Sequence, residues 1–334
     1  MQRPVTMALV LAFVLGGCVE RDEEITVDAD GTVRVHLEFA SDSFDDLYQG
    51  DAVPSVAGGW LVEERTERDV DGAERFRLIA DAVFGPETAL PSTYADPRDP
   101  DPQSVLHFVT TLTIEPRPDG VYYHFARVYP PRPWAYLDHA RALLEEHAGS
   151  GDEFAAMTPE EQRDRVLLYA RVGAVETQVF VRRAFRATLP ELPPDAWLHL
   201  HGVVGETVDG LDVGPILAAL AVEDEQERAA QLERRQTEML TMLETTIQRT
   251  LRRDLGVDPG GVNAFMRAYR VERTAHEITQ DLGDDSFTVT VQMPGTLVGH
   301  NGEGADGTRV TWRFGGTMLR DREHELVVSS VVRR

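Results

Sequence analysis

Lysine is missing from this chain: every one of its 33 basic residues is arginine. Without lysine there can be no Schiff-base chemistry, no phosphate-loop lysine and no Ser-x-x-Lys acyl-enzyme site. A genome that prefers arginine codons accounts for the bias without a recognition role, since the two side chains differ chiefly at bidentate sites. Cysteine occurs once, at Cys18, which excludes an intrachain disulfide and a cysteine-rich zinc site. Positive charge is scarce. With 57 acidic residues the formal net charge is -24, and such a chain is repelled by phosphate backbones and anionic lipid headgroups, so nucleic acid is not an expected partner. Long apolar runs are lacking as well. Beyond the N-terminus the best candidate, Ile216 to Val222, spans seven residues before the acidic Glu223-Asp224-Glu225, against the roughly 20 that a membrane helix needs. No internal repeat and no sustained heptad pattern is present.

What remains is a globular composition, 42% hydrophobic and 27% charged over 334 residues, enough for one large domain or two ordinary ones. The N-terminus carries the clearest signal. Arg3 and the amino group form a short positive region, and Met7 to Leu15 form an uncharged apolar run followed by Gly16, Gly17 and Cys18. As a helix that run extends only about 15 Å, against roughly 30 Å of hydrocarbon, so it reads as a removable signal and not a permanent span. Leu15-Gly16-Gly17-Cys18 resembles the lipobox of bacterial lipoprotein signal peptides. The resemblance implies that the Cys18 sulfur receives diacylglycerol and that cleavage makes Cys18 the first mature residue, its amine then open to acylation by a chain such as palmitate. The alternatives are an ordinary secretory signal and an unmodified, buried cysteine. Val19 in place of aspartate after Cys18 would, under enteric-type sorting, permit delivery to the outer membrane.

The mature chain opens with strand grammar. Glu24 to Asp28 leads into the turn cluster Asp28-Ala29-Asp30-Gly31, and Thr32 to Phe39 then alternates, with Val33, Val35, Leu37 and Phe39 on one face. Trp60 to Thr66 and Glu74 to Phe84 form a second hairpin around Asp71-Gly72. Val105 to Ile114 and Val121 to Val128 form a third, across a turn at Pro116 to Gly120. The proline-studded Gly85 to Gln103 is a loop. From Pro133 the period changes. Trp134, Leu137, Leu143 and Leu144 suit a helix, Thr158-Pro159-Glu160-Glu161 is a capping box, and one long helix is expected over Pro215 to Leu255, where Leu232, Leu240, Leu243, Ile247 and Leu251 recur at helical steps. Gly256 and Asp258-Pro259-Gly260-Gly261 end it. Strands return at Phe287 to Met293, Arg309 to Phe314 and Leu326 to Val332. This order predicts an α+β fold: an antiparallel β-sheet built from N- and C-terminal strands with a helical insertion between them. The expected division is a signal peptide at 1–17, a β-rich part at 18–130, a mainly helical insertion at 131–283 and C-terminal strands at 284–334.

Cys18 followed by Ile25-Thr26-Val27-Asp28-Ala29-Asp30-Gly31-Thr32-Val33 at the opening of the mature chain bears a likeness to LppM-like bacterial lipoproteins. The closing likeness is Val289-Thr290-Val291-Gln292-Met293-Pro294-Gly295, then Asn301-Gly302 and Val310-Thr311-Trp312. About a quarter of the chain is involved, as a pattern of strands and turns. The resemblance implies a β-rich extracytoplasmic domain, with glycolipid binding suggested for the group and no catalytic residues to transfer. The helical middle departs from the small family domain.

Several chemical motifs match only by letter. Gly302-Glu303-Gly304-Ala305-Asp306-Gly307 has the dinucleotide spacing, but a strand follows where a helix is required, so a hairpin loop is expected. His276-Glu277 and His324-Glu325 begin like a zinc-protease motif, yet the second histidines are replaced by Gln280 and Val328. His199-Leu200-His201 on a strand would place two imidazoles on one face, without a third ligand. Asp42, Asp45, Asp46 and Asp51 crowd one segment but lack the order of a calcium loop. No catalytic, metal-binding or cofactor residue is therefore named. The expectation is a lipid-anchored protein on the extracytoplasmic side of the cell membrane or outer membrane. Its partner would be an envelope protein or an amphiphile, and the alternative is an envelope-polymer hydrolase with a carboxylate pair.

Overall fold

The computed structural model describes residues 19–42, 47, 53–68, 74–94, 106–135, 154 and 156–334. Among these it contains eleven strands and five α-helices, the helices falling in sequence between N- and C-terminal strands, so the fold class is α+β. The chain divides into two compact units. A sheet unit comprises the N-terminal strands through Trp134 together with Thr274–Arg334, and a helical unit comprises Ala135–Arg273.

In the sheet unit, β1 (Glu20–Val27) and β2 (Val33–Ser41) form an antiparallel hairpin whose register closes at Val27 opposite Val33. Asp28 and Asp30 shape the turn: the Gly31 amide donates to the Asp28 carbonyl at 3.0 Å, and the Thr32 amide to the Asp30 carboxylate at 2.9 Å. Gly31 has φ 90°, which glycine adopts without steric cost. β3 (Leu61–Arg68) and β4 (Glu74–Phe84) extend this sheet, and β5 (Val109–Arg117) and β6 (Gly120–Tyr129) form the third hairpin.

The C-terminal strands are shared between two sheets, where a single sheet was expected. β7 (Ser286–Gln292), β9 (Gly304–Asp306) and β10 (Arg309–Gly315) complete a seven-stranded sheet of order β3-β4-β2-β1-β7-β10-β9. β8 (Thr296–His300) and β11 (His324–Arg333) join the third hairpin in a four-stranded sheet of order β5-β6-β11-β8. Pairing is antiparallel except between β1 and β7, which run parallel from Glu20 opposite Ser286 to Thr26 opposite Gln292. That pairing sets an N-terminal strand beside a C-terminal one in mid-sheet.

Alternation explains the core. Ile25, Val27, Val33, Val35, Leu37 and Phe39 point inward from the larger sheet, as do Val289, Val291, Val310 and Trp312. They share one cluster with Tyr123, Phe125, Leu326 and Val328 of the smaller sheet. Each such side chain contributes about 1.5–3 kcal/mol by leaving water.

The helical unit begins with α1 (Pro159–Thr188), which opens on the expected capping box: the Glu161 amide donates to the Thr158 hydroxyl, and the Thr158 amide to the Glu161 carboxylate. α2 (Pro194–Asp209) buries Ala196, Leu200, Val204 and Val208 at four-residue steps. The single long helix expected over 215–255 is two, α3 (Gly214–Leu220) and α4 (Glu225–Arg253). The break falls at Asp224, whose carboxylate accepts from the Glu227 amide at 2.8 Å and so starts a new helix where the apolar run gives way to acidic residues.

α5 (Pro259–Asp281) follows directly. Asp258 accepts from the Gly260 and Gly261 amides at 2.8 and 3.1 Å, so the cluster that ends one helix also begins the next. Phe180, Val181, Leu200, Leu243, Ile247, Leu251, Phe265 and Tyr269 form this unit's core. The boundary between units lies within α5, between Arg273 and Thr274. The helix expected after Pro133 falls on residues outside the described set from position 136 onward.

Candidate functional site

The predicted anchor residues, Leu15, Gly16, Gly17 and Cys18, lie outside the described residues. The residue that follows them does not. Val19 is 5% exposed, and its amide donates to Asp285 Oδ1 at 3.0 Å while its carbonyl accepts from the Ser286 amide at 3.1 Å. Arg21 Nη2 lies 2.6 Å from Asp285 Oδ2, and the same guanidinium sits 5.5 and 5.1 Å from the ring centroids of Phe39 and Phe287. Burial pushes the Asp285 carboxyl above its ordinary range against the pull of Arg21 and the Val19 amide. The parallel β1–β7 pairing creates this arrangement, because it places the start of β1 beside the residue that precedes β7.

A second group of charges lies deeper, between the sheets. Arg127 on β6 is 1% exposed and reaches Glu23 of β1, with Nη1 to Oε2 at 2.5 Å. The Tyr94 hydroxyl donates to Glu23 Oε1 and accepts from Arg127 Nη1 at 3.2 Å, and Arg127 Nε donates to Thr110 Oγ1 at 2.9 Å. The guanidinium carbon lies 4.2 Å from the Phe108 ring centroid. Burial works against the charge on Arg127, yet the facing Glu23 carboxylate holds the guanidinium well above its usual range. Burial, and then the charge of Glu23, raise the Tyr94 phenol well above its own, so it remains a donor. A carboxylate already engaged by two donors is suited to joining the sheets, not to taking a proton from a substrate.

Sequence reasoning passed over these groups, although a signal was present. Glu23 is in phase with the inward-facing Ile25 and Val27, and Arg127 with Tyr123, Phe125 and Tyr129. A charged residue at an apolar parity of an alternating strand marks a buried pair from the residue pattern alone.

The histidines disperse. His199 and His201 are on helix α2, not on a strand, and two positions apart on a helix point to different sides. His199 Nε2 lies 3.4 Å from Asp254 and His201 Nδ1 3.5 Å from Gln178. The two-imidazole face is thereby corrected: the four-residue spacing of Ala196, Leu200, Val204 and Val208 overrides the short His-Leu-His alternation. His276 stacks on Trp134, ring centroids 5.5 Å apart. His324 packs 4.4 Å from the Phe314 ring. Among the described residues no group of three or more His, Cys, Asp or Glu could hold a metal ion. Of the acidic run only Asp42 is described; Asp45, Asp46 and Asp51 lie outside. Gly302 to Gly307 forms the expected hairpin, with β9 paired to β10. No helix among the described residues is long and apolar enough to cross a membrane.

Fold and site together define an α+β protein in which an N-terminal strand pairs with a C-terminal one in the larger sheet and, among the described residues, Glu23 and Asp285 are each paired with an arginine. No family model matches the chain, and no curated protein matches it in sequence. Among solved structures it is similar to the NMR structure of the folded domain of LppM from Mycobacterium tuberculosis, with a TM-score of 0.30 and 7% sequence identity over 96% of this chain and 92% of that one. A likeness of that size adds nothing to what the residues themselves support.

Proposed function

We propose that this chain is a lipoprotein of the cell envelope, anchored through diacylglycerol on Cys18, whose body is a non-enzymatic module for binding an envelope protein or an amphiphile. One observation carries the reading: the signal-like segment ending in Leu15-Gly16-Gly17-Cys18 abuts a folded body whose first described residue, Val19, is already fixed by Asp285 and Ser286. Cleavage before Cys18 would leave the whole sheet intact. Each buried CH₂ of an acyl chain contributes about 0.8 kcal/mol, and two chains suffice for stable attachment where one is marginal. The hydrolase alternative would need two carboxyl groups converging on a substrate, whereas Glu23 and Asp285 are each held by an arginine, in separate places.

The test is metabolic labelling with radioactive palmitate, followed by fractionation. Wild-type protein should carry label and sediment with membranes, and Cys18→Ser should lose both the label and the processing. Unlabelled wild-type protein, or a serine variant processed and retained as before, would defeat the proposal.

A further inference from the structure

Resting on that anchoring, we infer that the end of the seven-stranded sheet at which β1 begins docks against the lipid bilayer, with Met318 as its apolar contact. Reach decides it. Consecutive Cα atoms are about 3.8 Å apart, and no residue intervenes between Cys18 and Val19. Val19 is no tether, being 5% exposed and hydrogen-bonded through both its amide and its carbonyl. A thioether on Cys18 at the level of the lipid glycerol therefore brings this end of the sheet to the headgroups.

The chemistry of that end suits the contact. Ser286 pairs with Gly315, the Gly316 amide donates to the Asp285 carbonyl at 3.0 Å, and a 3-10 turn follows at Gly316–Leu319. Within that turn Met318 stands 44% exposed, two residues past Gly316. Some of the charges at this end are paired, Arg21 with Asp285 and Arg75 with Glu20, while Arg77 bridges two carboxylates, Glu38 and Glu67. The acidic Asp28–Asp30 turn lies at the other end of the eight-residue β1. At about 3.3 Å per residue that is roughly 26 Å away, some three Debye lengths at physiological salt, where its repulsion by anionic lipid is screened.

The single cysteine makes the test clean, because lipidation blocks its thiol and leaves any introduced cysteine as the one that reacts. Full-length Met318→Cys and Val83→Cys proteins are labelled with a fluorescent maleimide and reconstituted into phosphatidylcholine vesicles containing brominated phosphatidylcholine. Val83 pairs with Arg34 near the far end of the sheet and is 68% exposed, so it is the more apolar surface by exposure alone. The expected result is strong quenching by brominated lipid at 318 and little at 83. Equal quenching at both, or greater quenching at 83, would overturn the inference while leaving the anchor in place. Denatured wild-type protein that reacts with the maleimide would show a free Cys18 and would remove the anchoring reading, and this inference with it.

Discussion

Replacing Glu23 by leucine removes the carboxylate that faces Arg127 while nearly conserving volume. It leaves a guanidinium that is 1% exposed with Thr110, Tyr94 and the Phe108 ring as its surroundings, and it strips the Tyr94 hydroxyl of its acceptor. Breaking a buried pair by removing one partner costs about 3–5 kcal/mol. With a urea dependence of about 2 kcal/mol per molar, the midpoint should fall by on the order of 2 M. Arg127→Met should cost a comparable amount. The double variant Glu23→Leu/Arg127→Met should recover most of the loss, because no charge is then left buried alone, and it should give a coupling free energy of roughly 2 kcal/mol or more. Three of the four tryptophans, Trp60, Trp134 and Trp312, belong to the sheet unit and Trp197 to the helical unit. Emission in a Trp197→Phe background therefore follows the sheet unit alone. If either single variant shifts the midpoint by less than half a molar, or if the two losses simply add, the pair does not join the sheets as argued.

Other consequences are sharper in position than in size. A Cβ on Gly316 would lie 1.6 Å from the Leu282 carbonyl oxygen, so Gly316→Ala should destabilise the sheet unit by about 1–3 kcal/mol or more; an unchanged thermal midpoint would contradict this. Burial holds the His324 imidazole below its ordinary value of 6.5, so its contribution to stability is present above that pH and is lost as pH falls through the lower folded value. His324→Phe should therefore flatten the fall in melting temperature between pH 7.5 and 5.5, and an unaltered slope would refute the assignment. Thr158→Ala removes the capping hydroxyl of α1 and should cost about 1 kcal/mol in the helical unit, read from the Trp197 transition; no shift would show that this end frays without consequence.

The alternating strands were readable because period two and glycine or acidic turns coincide, as in Val33 to Phe39 after Asp28–Gly31. What local pattern does not hold is which strands become neighbours. The parallel β1–β7 pairing joins residues more than 260 positions apart, such as Glu20 and Ser286, and the β6–β11 pairing joins residues about 200 apart, such as Tyr129 and His324, so neither is written in any local stretch of sequence. α5 went unrecognised because Pro259, Gly260 and Gly261 read as a stop, although Val262, Phe265, Met266 and Tyr269 keep helical spacing and Asp258 caps their first turn. The site residues were hidden for a related reason. Glu23 and Arg127 look like ordinary surface charges until each is matched to the parity of its strand.

The proposed membrane attachment turns on the chemistry of one thiol beside a residue already locked into the sheet. Mass spectrometry of the N-terminal proteolytic peptide from membrane-extracted protein tests it most directly. The predicted peptide starts at Cys18 and carries the added mass of a diacylglyceryl group. A peptide that runs through Gly17 into an unmodified Cys18, or one that starts elsewhere, would contradict it.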